Sequence, residues 1–447
     1  MSKDLNHMYH WQQKNWPQFD YDAACFESSV SEYSKKAYSI EGALSQIPTN
    51  DHNDAFVHLL VEEALSTSAI EGENLNREEV RSSVARFLGL KEPERGGYFP
   101  KEKGIAAMLV DVRKSIKSAM SKTLLCHWHT LLLHGSEDYY VTPITKGDYR
   151  DSSIDVIRED LYGDSEIIYK APGNNRIEVE REMDAFIHWY NSANCSGPIK
   201  AAIAHLWFVA IHPFQDGNGR VGRAIAEHAL FQDFSKPPLF SMSSMINAHR
   251  MEYYQQLRST NSSLQINEWI AWFVELVKTS QDKSLESVEF VLQKSKFWAE
   301  YGEVKLNQRQ DKVMKKIFTV GADGFVRDGL TNEKYRAITG APPATATRDL
   351  KSLVDNGLLY PSGEGKRGLR YFVNFPQDNN LFVGKEDAPL VDDVSLSKIL
   401  KKIERNLEYF RGEKNPGLTK LIDEYKALSL DDKVAEQKLE KLLGRNG

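Results

Sequence analysis

Apolar residues recur at helical spacing over much of the chain, and two stretches frame the rest. Phe56, Leu59, Leu60, Ala64 and Leu65 follow a three-and-four rhythm that predicts a helix from Asn53 to Ile70, stopped by Gly72. Ile199 to Ile211, rich in Ala and long apolar side chains, predicts another, and Val221 to Phe231 resumes helical spacing after a break. That break holds His212-Pro213-Phe214-Gln215-Asp216-Gly217-Asn218-Gly219-Arg220. The local architecture is therefore helix, tight loop, helix. The loop feeds its backbone N–H groups into a helix N-terminus, where unpaired amides and the macrodipole favour an anion.

Farther along, Asp311–Phe318, Thr331–Ile338 and Ala344–Asn356 predict three short helices, with Thr331 as an N-cap and a stop at Gly357. Gly340-Ala341-Pro342-Pro343 makes the turn between the last two. Leu358–Tyr360 and Leu369–Asn374 read as strands flanking Gly363-Glu364-Gly365-Lys366-Arg367-Gly368. Helix-turn-helix followed by a basic β-ribbon resembles a winged helix. Residues 306–372 carry 12 Lys and Arg against 7 Asp and Glu, a local net of +5 in a chain whose total is −6. That balance admits DNA as a partner through 306–376, although the last helix offers only Arg348 and Lys351 against Asp349 and Asp355. Leu396, Ile399, Leu400, Ile403, Leu407 and Phe410 then form an amphipathic stripe, suited to packing on a neighbouring element or on a second copy in a homodimer.

The loop at 212–223 concentrates the chemistry. Gly217 and Gly219 let the backbone bend with φ > 0 and approach a phosphate closely, and Asn218 tolerates left-handed geometry and can offer its amide. Arg220 and Arg223 lie three apart on one helix face, placed to grip phosphate oxygens. Asp216 is a hard oxygen donor suited to Mg²⁺, with Mn²⁺ the other candidate. His212, with a reference pKa of about 6.5, is the natural proton acceptor for a hydroxyl. Together these residues describe transfer from a nucleoside triphosphate. A P-loop is excluded for want of G-x-x-x-x-G-K-[ST], and H-R-D and D-F-G are missing for a kinase.

The run from His212 to Arg223, H-x-F-x-[DE]-G-N-G-R-x-x-R, resembles the signature of the Fic (filamentation induced by cAMP) family. Its members mostly transfer AMP from ATP to protein hydroxyls. The resemblance implies that His212 deprotonates the acceptor and that Asp216 coordinates Mg²⁺. It implies an ATP anion site of Gly217, Asn218, Gly219, Val221 and Gly222, with Arg220 and Arg223 on the β- and γ-phosphates. Gly147-x-Tyr149-Arg150 and a β-hairpin flap at Ile154–Pro172 precede the motif as in that family. There the flap aligns a target segment by strand addition. Tyr253-Tyr254-x-x-Leu257 and Trp269-Ile270-x-Trp272-Phe273 resemble the helices that close the adenine side, which makes Tyr254 the base contact.

Upstream, Thr67-Ser68-Ala69-Ile70-Glu71-Gly72 resembles the family's inhibitory motif, [ST]-x-x-x-E-[GN]. Glu71 would stand at the negative end of a helix dipole, unfavourable by about 0.3–1 kcal/mol. A broken local rule of that kind marks function. The resemblance pairs Glu71 with Arg223, holding the arginine away from the γ-phosphate and inhibiting the protein in cis. In some members the same glutamate positions water and removes AMP instead.

Composition fits this reading. At 447 residues the chain is long enough for two or three cores, and 41% hydrophobic with 27% charged residues is ordinary for a globular protein. No apolar run of about 18 residues predicts a membrane span, and the N-terminus lacks an apolar signal region. Cys25, Cys126 and Cys195 make neither a disulfide framework nor a zinc site, which fits a reducing, cytoplasmic setting. His127-x-His129 has the wrong spacing for one helix face and reads as packing. Asn15-Trp16-Pro17-x-Phe19 reads as an aromatic plug on the main core.

The fold expected is mainly α: a Fic-type helical core with a small β-hairpin flap, then a winged-helix α+β domain and a helical C-terminal tail. The boundaries are an N-terminal helical module at 1–95, with the inhibitory helix at about 53–72, and a catalytic core at 96–285. A linker helix at 286–305, the winged helix at 306–376 and a helical extension at 388–447 follow. The function expected is a protein adenylyltransferase, autoinhibited by Glu71 and acting on a target protein or on itself. AMP removal through Glu71 and a DNA-binding regulator are the alternatives.

Overall fold

The computed structural model describes residues 8–45, 49–90, 99–135, 144–159, 165–232, 234, 240–320, 325, 326, 328–362 and 369–376. The described chain is mainly α, with two antiparallel two-stranded ribbons. Its centre is a pair of helices, α7 (Gly197–Ile211) and α8 (Asn218–Phe231), packed along each other. α7 is apolar all round and is accordingly buried on nearly every side. It ends because His212 takes a left-handed conformation and Pro213 cannot extend it.

Other helices wrap this pair. α1 (Glu27–Ser45) lies along α11 (Asn267–Tyr301), and the Tyr33 hydroxyl donates to the Leu230 carbonyl at 2.9 Å. α2 (Thr49–Ile70) packs against α3 (Arg77–Phe87), α4 (Pro100–Lys114) and α9 (Met242–Ala248). It is pinned by Glu63, whose buried carboxylate accepts from the Ser241 hydroxyl and the Ser243 amide, both at 2.9 Å, and from the Ser243 hydroxyl. α5 (Lys122–Leu132), α6 (Arg176–Ser192) and α10 (Arg250–Ser259) complete the shell.

Between α5 and α6 stands the hairpin of β1 (Asp155–Glu159) and β2 (Ser165–Lys170), with Ile157 opposite Ile167 and a bulge at Val156/Ile157. The N-terminal aromatics pack on the core as the plug expected. Trp16 meets His10, Phe19 and Trp207 edge-on, with centroids 4.8, 5.5 and 6.1 Å away.

The C-terminal module contains α12 (Gln308–Val320), α13 (Asn332–Thr339), α14 (Pro343–Asp355) and a ribbon of β3 (Leu359–Ser362) and β4 (Arg370–Val373). Thr331 caps α13 by accepting from the Lys334 amide at 3.1 Å. Asp349 is turned inward, where it accepts from Asn307, from Arg309 Nε at 2.7 Å and from the Tyr335 hydroxyl at 3.0 Å. On α14 this leaves Thr347, Arg348 and Lys351 as exposed side chains, with Asp355 as the outward acid.

Most boundaries fall within a few residues of expectation, and three differences matter for the site and the domain division. α2 begins at Thr49, and α8 begins at Asn218 rather than Val221, so the glycine loop already belongs to the helix's first turn. The helix expected as a separate linker over 286–305 is the continuation of α11, whose Phe290 and Phe297 join the module's own core. The residues at 363–368 and the extension at 388–447, with its apolar stripe, lie outside the described residues. Among the described residues no helix is long and apolar enough to cross a membrane.

Candidate active site

His212 sits where α7 stops. Its φ of 52° makes it the one non-glycine residue with positive φ among the described residues. Such a backbone costs about 1–3 kcal/mol and persists only when its surroundings enforce it. The ring Nδ1 lies 3.2 Å from the Val209 carbonyl, which can only accept, so Nδ1 carries the proton and Nε2 keeps its lone pair. Burial pushes the His212 pKa down to about 4; Arg150 adds to the shift, while Glu71 and Asp216 oppose it. The imidazole is thus neutral near pH 7.

The loop after it is held rigidly. Phe214 stacks flat on His129, with centroids 3.9 Å apart and planes within 4°. His129 Nδ1 accepts from the Gly147 amide at 2.9 Å, so its Nε2–H donates to the Asp216 carbonyl at 3.1 Å. The Asn218 amide, expected to be offered to a ligand, closes on Phe214 in both directions, at 2.9 and 2.7 Å. Gly217 has the expected left-handed backbone, φ 79°. Gly219 does not: it is required because a Cβ there would lie 2.2 Å from Glu71 Oε1. At the first turn of α8 the amides of Asn218, Gly219 and Arg220 have no acceptor within the helix.

Val221 and Gly222, expected to contribute to an anion site, are turned toward the packed interior in this structure. The Val221 amide donates to the Gly217 carbonyl at 3.0 Å and its side chain is core. Gly222 faces α7, where a Cβ would approach Val209 Cγ2 to 3.0 Å and His205 Nδ1 to 3.3 Å, so its smallness serves helix packing.

Both arginines are nearly buried and both are engaged by carboxylates of one short segment. Arg223 donates to Glu71 at 2.7 Å, to the Thr67 hydroxyl at 2.7 Å and to the Thr67 carbonyl at 2.9 Å. Arg220 donates to Glu73 at 2.7 Å and lies 3.4 Å from Asp216; Lys101 bonds the other oxygen of Glu73 at 2.8 Å. Among the described residues, Nη1 of Arg223 and Nε of Arg220 have no hydrogen-bond partner. Buried cationic donors left over in this way suit a further anion. Gly72, with φ 84°, turns the chain so that Glu71 and Glu73 point at the loop. The Tyr254 hydroxyl, expected near a base, donates to the Ile70 carbonyl at 3.0 Å and so touches the same segment.

Sequence reasoning missed Glu73 and Arg150. Glu73 lies just beyond the Thr67–Gly72 segment, where the sole signal was a second acid two residues after the first. Arg150 was visible as part of a motif, but its partners are all carbonyls: Ser152, Pro172, Gly173, Ile211 and His212.

For a divalent cation the donor set is small. Among the described residues no group of three or more His, Cys, Asp and Glu side chains is placed to hold a metal. Asp216 is one carboxylate beside the first turn of α8, a donor set that would suit Mg²⁺ only if a bound ligand supplied the other oxygens.

Residues 119–230 match the Fic/DOC family, and residues 9–90 match a domain of unknown function, DUF4172. The chain is similar to a protein adenylyltransferase Fic of Drosophila mojavensis, 27% identical over 220 residues, covering 48% of this chain and 39% of that one. It is also similar to the protein of the same name from Drosophila virilis, 31% identical over 159 residues, covering 35% of this chain and 28% of the other. The matched regions thus span well under half the length of these curated relatives. A solved Fic family protein from Desulfovibrio desulfuricans aligns at 15% identity with a TM-score of 0.45, covering 83% of this chain and 99% of the other. The region that carries the geometry around His212, residues 119–230, is thus the part of the chain that matches the Fic/DOC family.

Proposed function

We propose that the protein transfers AMP from ATP to a hydroxyl side chain of a protein, and that Glu71 holds this activity in check. One observation carries the reading: the Glu71 carboxylate is seated against Gly219 and bonded to Arg223, an internal anion lodged where a phosphate would go. A triphosphate bound at the first turn of α8 would compete with it for the same donors.

Nε2 of His212 takes the proton of the acceptor hydroxyl. The hydroxyl oxygen then bonds to the α-phosphorus, the bond from that phosphorus to the β-bridging oxygen breaks, and pyrophosphate leaves. The α8 amides and the two arginines stabilise charge on the phosphates, so most of the rate comes from positioning and electrostatics. Mg²⁺ bound at Asp216 would neutralise part of the triphosphate charge. Tyr254 is retained as the proposed base contact, reached once the Ile70–Glu71 segment moves.

The test uses the full chain, its Glu71→Gly variant and Glu71→Gly/His212→Ala, incubated with α-labelled ATP and Mg²⁺ and a cell lysate. Label should rise about tenfold or more with Glu71→Gly and fall by roughly 10²–10⁴ with the double variant, the range for a general base. No label from folded Glu71→Gly protein would turn the reading toward AMP removal, in which Glu71 is needed rather than inhibitory.

A further inference from the structure

Arg150 is among the largest fully buried side chains in the protein, 1% exposed, and no carboxylate is among its hydrogen-bond partners. A guanidinium has five N–H donors. All five are engaged here, each with a different carbonyl. Nε donates to His212 at 2.8 Å and Nη2 to Ile211 at 3.2 Å, the two carbonyls at the C-terminal end of α7. Nη1 donates to Ser152 and Gly173, and Nη2 to Pro172, each at 2.6 Å. Ser152 precedes β1, while Pro172 and Gly173 follow β2.

One side chain therefore joins both ends of the hairpin to the backbone of the candidate base. The placement is favourable for a cation, since the last carbonyls of a helix carry partial negative charge. The Arg150 amide adds a bond to the Pro213 carbonyl at 2.8 Å. These contacts account for how His212 is kept in its left-handed conformation. A second tie runs in parallel: the Tyr169 hydroxyl, on β2, donates to the Ala210 carbonyl at 3.1 Å. The other side of β2 is held by the N-terminal segment, where Trp11 Nε1 donates to the Lys170 carbonyl at 2.8 Å.

We propose that Arg150 is a positioning residue for transfer, fixing the distance and angle between the hairpin that docks the acceptor and the imidazole that deprotonates it. The inference rests on the AMP-transfer reading above, with the hairpin as acceptor dock. A misplacement of about 1 Å between reacting groups can cost 10²-fold in rate, so a five-bonded tie is worth more to kcat than to nucleotide binding. A lysine cannot replace it, because an ammonium is a compact point charge with three donors and lacks the planar fork.

The experiment compares Arg150→Lys, Arg150→Ala and Tyr169→Phe, each in the Glu71→Gly chain, by label transfer from α-labelled ATP to lysate protein. The expected result is a fall in kcat of about 10–100-fold for both Arg150 variants and about threefold for Tyr169→Phe. The KM for ATP should stay within about twofold, and added ethylguanidinium should restore part of the Arg150→Ala rate. If the Arg150 variants do not fold, the kcat and KM of Tyr169→Phe decide. Parent-like kcat in Arg150→Lys and Tyr169→Phe overturns the proposal. So does a joint loss of ATP affinity, thermal stability and kcat, which would make the residue merely structural. No transfer in the Glu71→Gly parent itself would remove the AMP-transfer reading and this role with it, whereas an active parent with undiminished variants removes this role alone.

Discussion

The core around His212 and the C-terminal module over residues 306–375 are both built of helices and one β-ribbon, yet they treat buried polar groups in opposite ways. In the module the polar groups satisfy one another. Asp349 is surrounded by Asn307, Arg309 and Tyr335, and none of the described side chains from 306 onward has a buried polar atom without a partner. In the core, Arg220 Nε and Arg223 Nη1 have no partner among the described residues, a histidine holds positive φ, and two acids lean on two buried arginines. The module obeys the local rules, whereas the core breaks them at several places, the arginine pair beside the glycine loop and the buried Arg113–Glu227 pair among them. Such conflicts cost stability and persist where function requires them.

Acid should separate the two regions most strongly. Burial lowers the pKa of His10, His205 and His228 to about 4 in the core, whereas residues 306–376 contain no histidine. The sign follows from linkage. The folded state keeps these rings neutral while the unfolded chain protonates them near pH 6.5, so their contribution is full above that pH and is lost as pH falls toward 4. By pH 5 each ring withdraws on the order of 1–2 kcal/mol. Calorimetry of the full chain at pH 7 and pH 5 should show the core transition falling by several degrees more than that of the module. Equal shifts would mean the two regions unfold as one unit or that the rings are not desolvated.

The reverse contrast comes from Asp349→Ala. It leaves the Tyr335 hydroxyl and the donors of Arg309 and Asn307 without their buried acceptor, at a cost of about 1–3 kcal/mol. Thermal stability of the module should fall while AMP transfer in the Glu71→Gly background stays at the parent's rate. A tenfold loss of transfer with the melt unchanged would show that the module acts on the active site, and the division drawn here would fail.

These regions also differ in how far they can be read from sequence. In the module, periodicity, the Thr331 cap and the turn glycines placed each helix and strand within a few residues, because local chemistry decides local structure there. In the core, helix-loop-helix and the Glu71–Arg223 pair were legible from the motifs, but the detailed use of the residues was not. Gly219 needs closeness rather than φ, the Asn218 amide is taken by Phe214, and Val221 and Gly222 pack inward. Each of these depends on what another segment places alongside. Arg150 shows the limit most clearly: its partners are main-chain carbonyls from position 152 to position 212, and no side-chain pattern announces them.

The smallest effect distinguishes the two arginines within the core. Arg223 is restrained by Glu71 and Arg220 by Glu73, at the same 2.7 Å, but Glu73 is shared with Lys101 and more of its charge is already balanced. Removing the Glu71 carboxylate therefore leaves Arg220 still engaged when ATP arrives. Partly exposed ion pairs contribute about 0.2–1 kcal/mol, so Glu73→Gln in the Glu71→Gly chain should lower the KM for ATP by about two- to fivefold. It should leave kcat near the parent value, since the imidazole and the hairpin are untouched. An unchanged KM would mean that Glu73 does not compete with phosphate. A raised KM would mean that it holds Arg220 in the orientation phosphate needs, and the segment from Thr67 to Glu73 would then combine a brake on one arginine with a brace for the other.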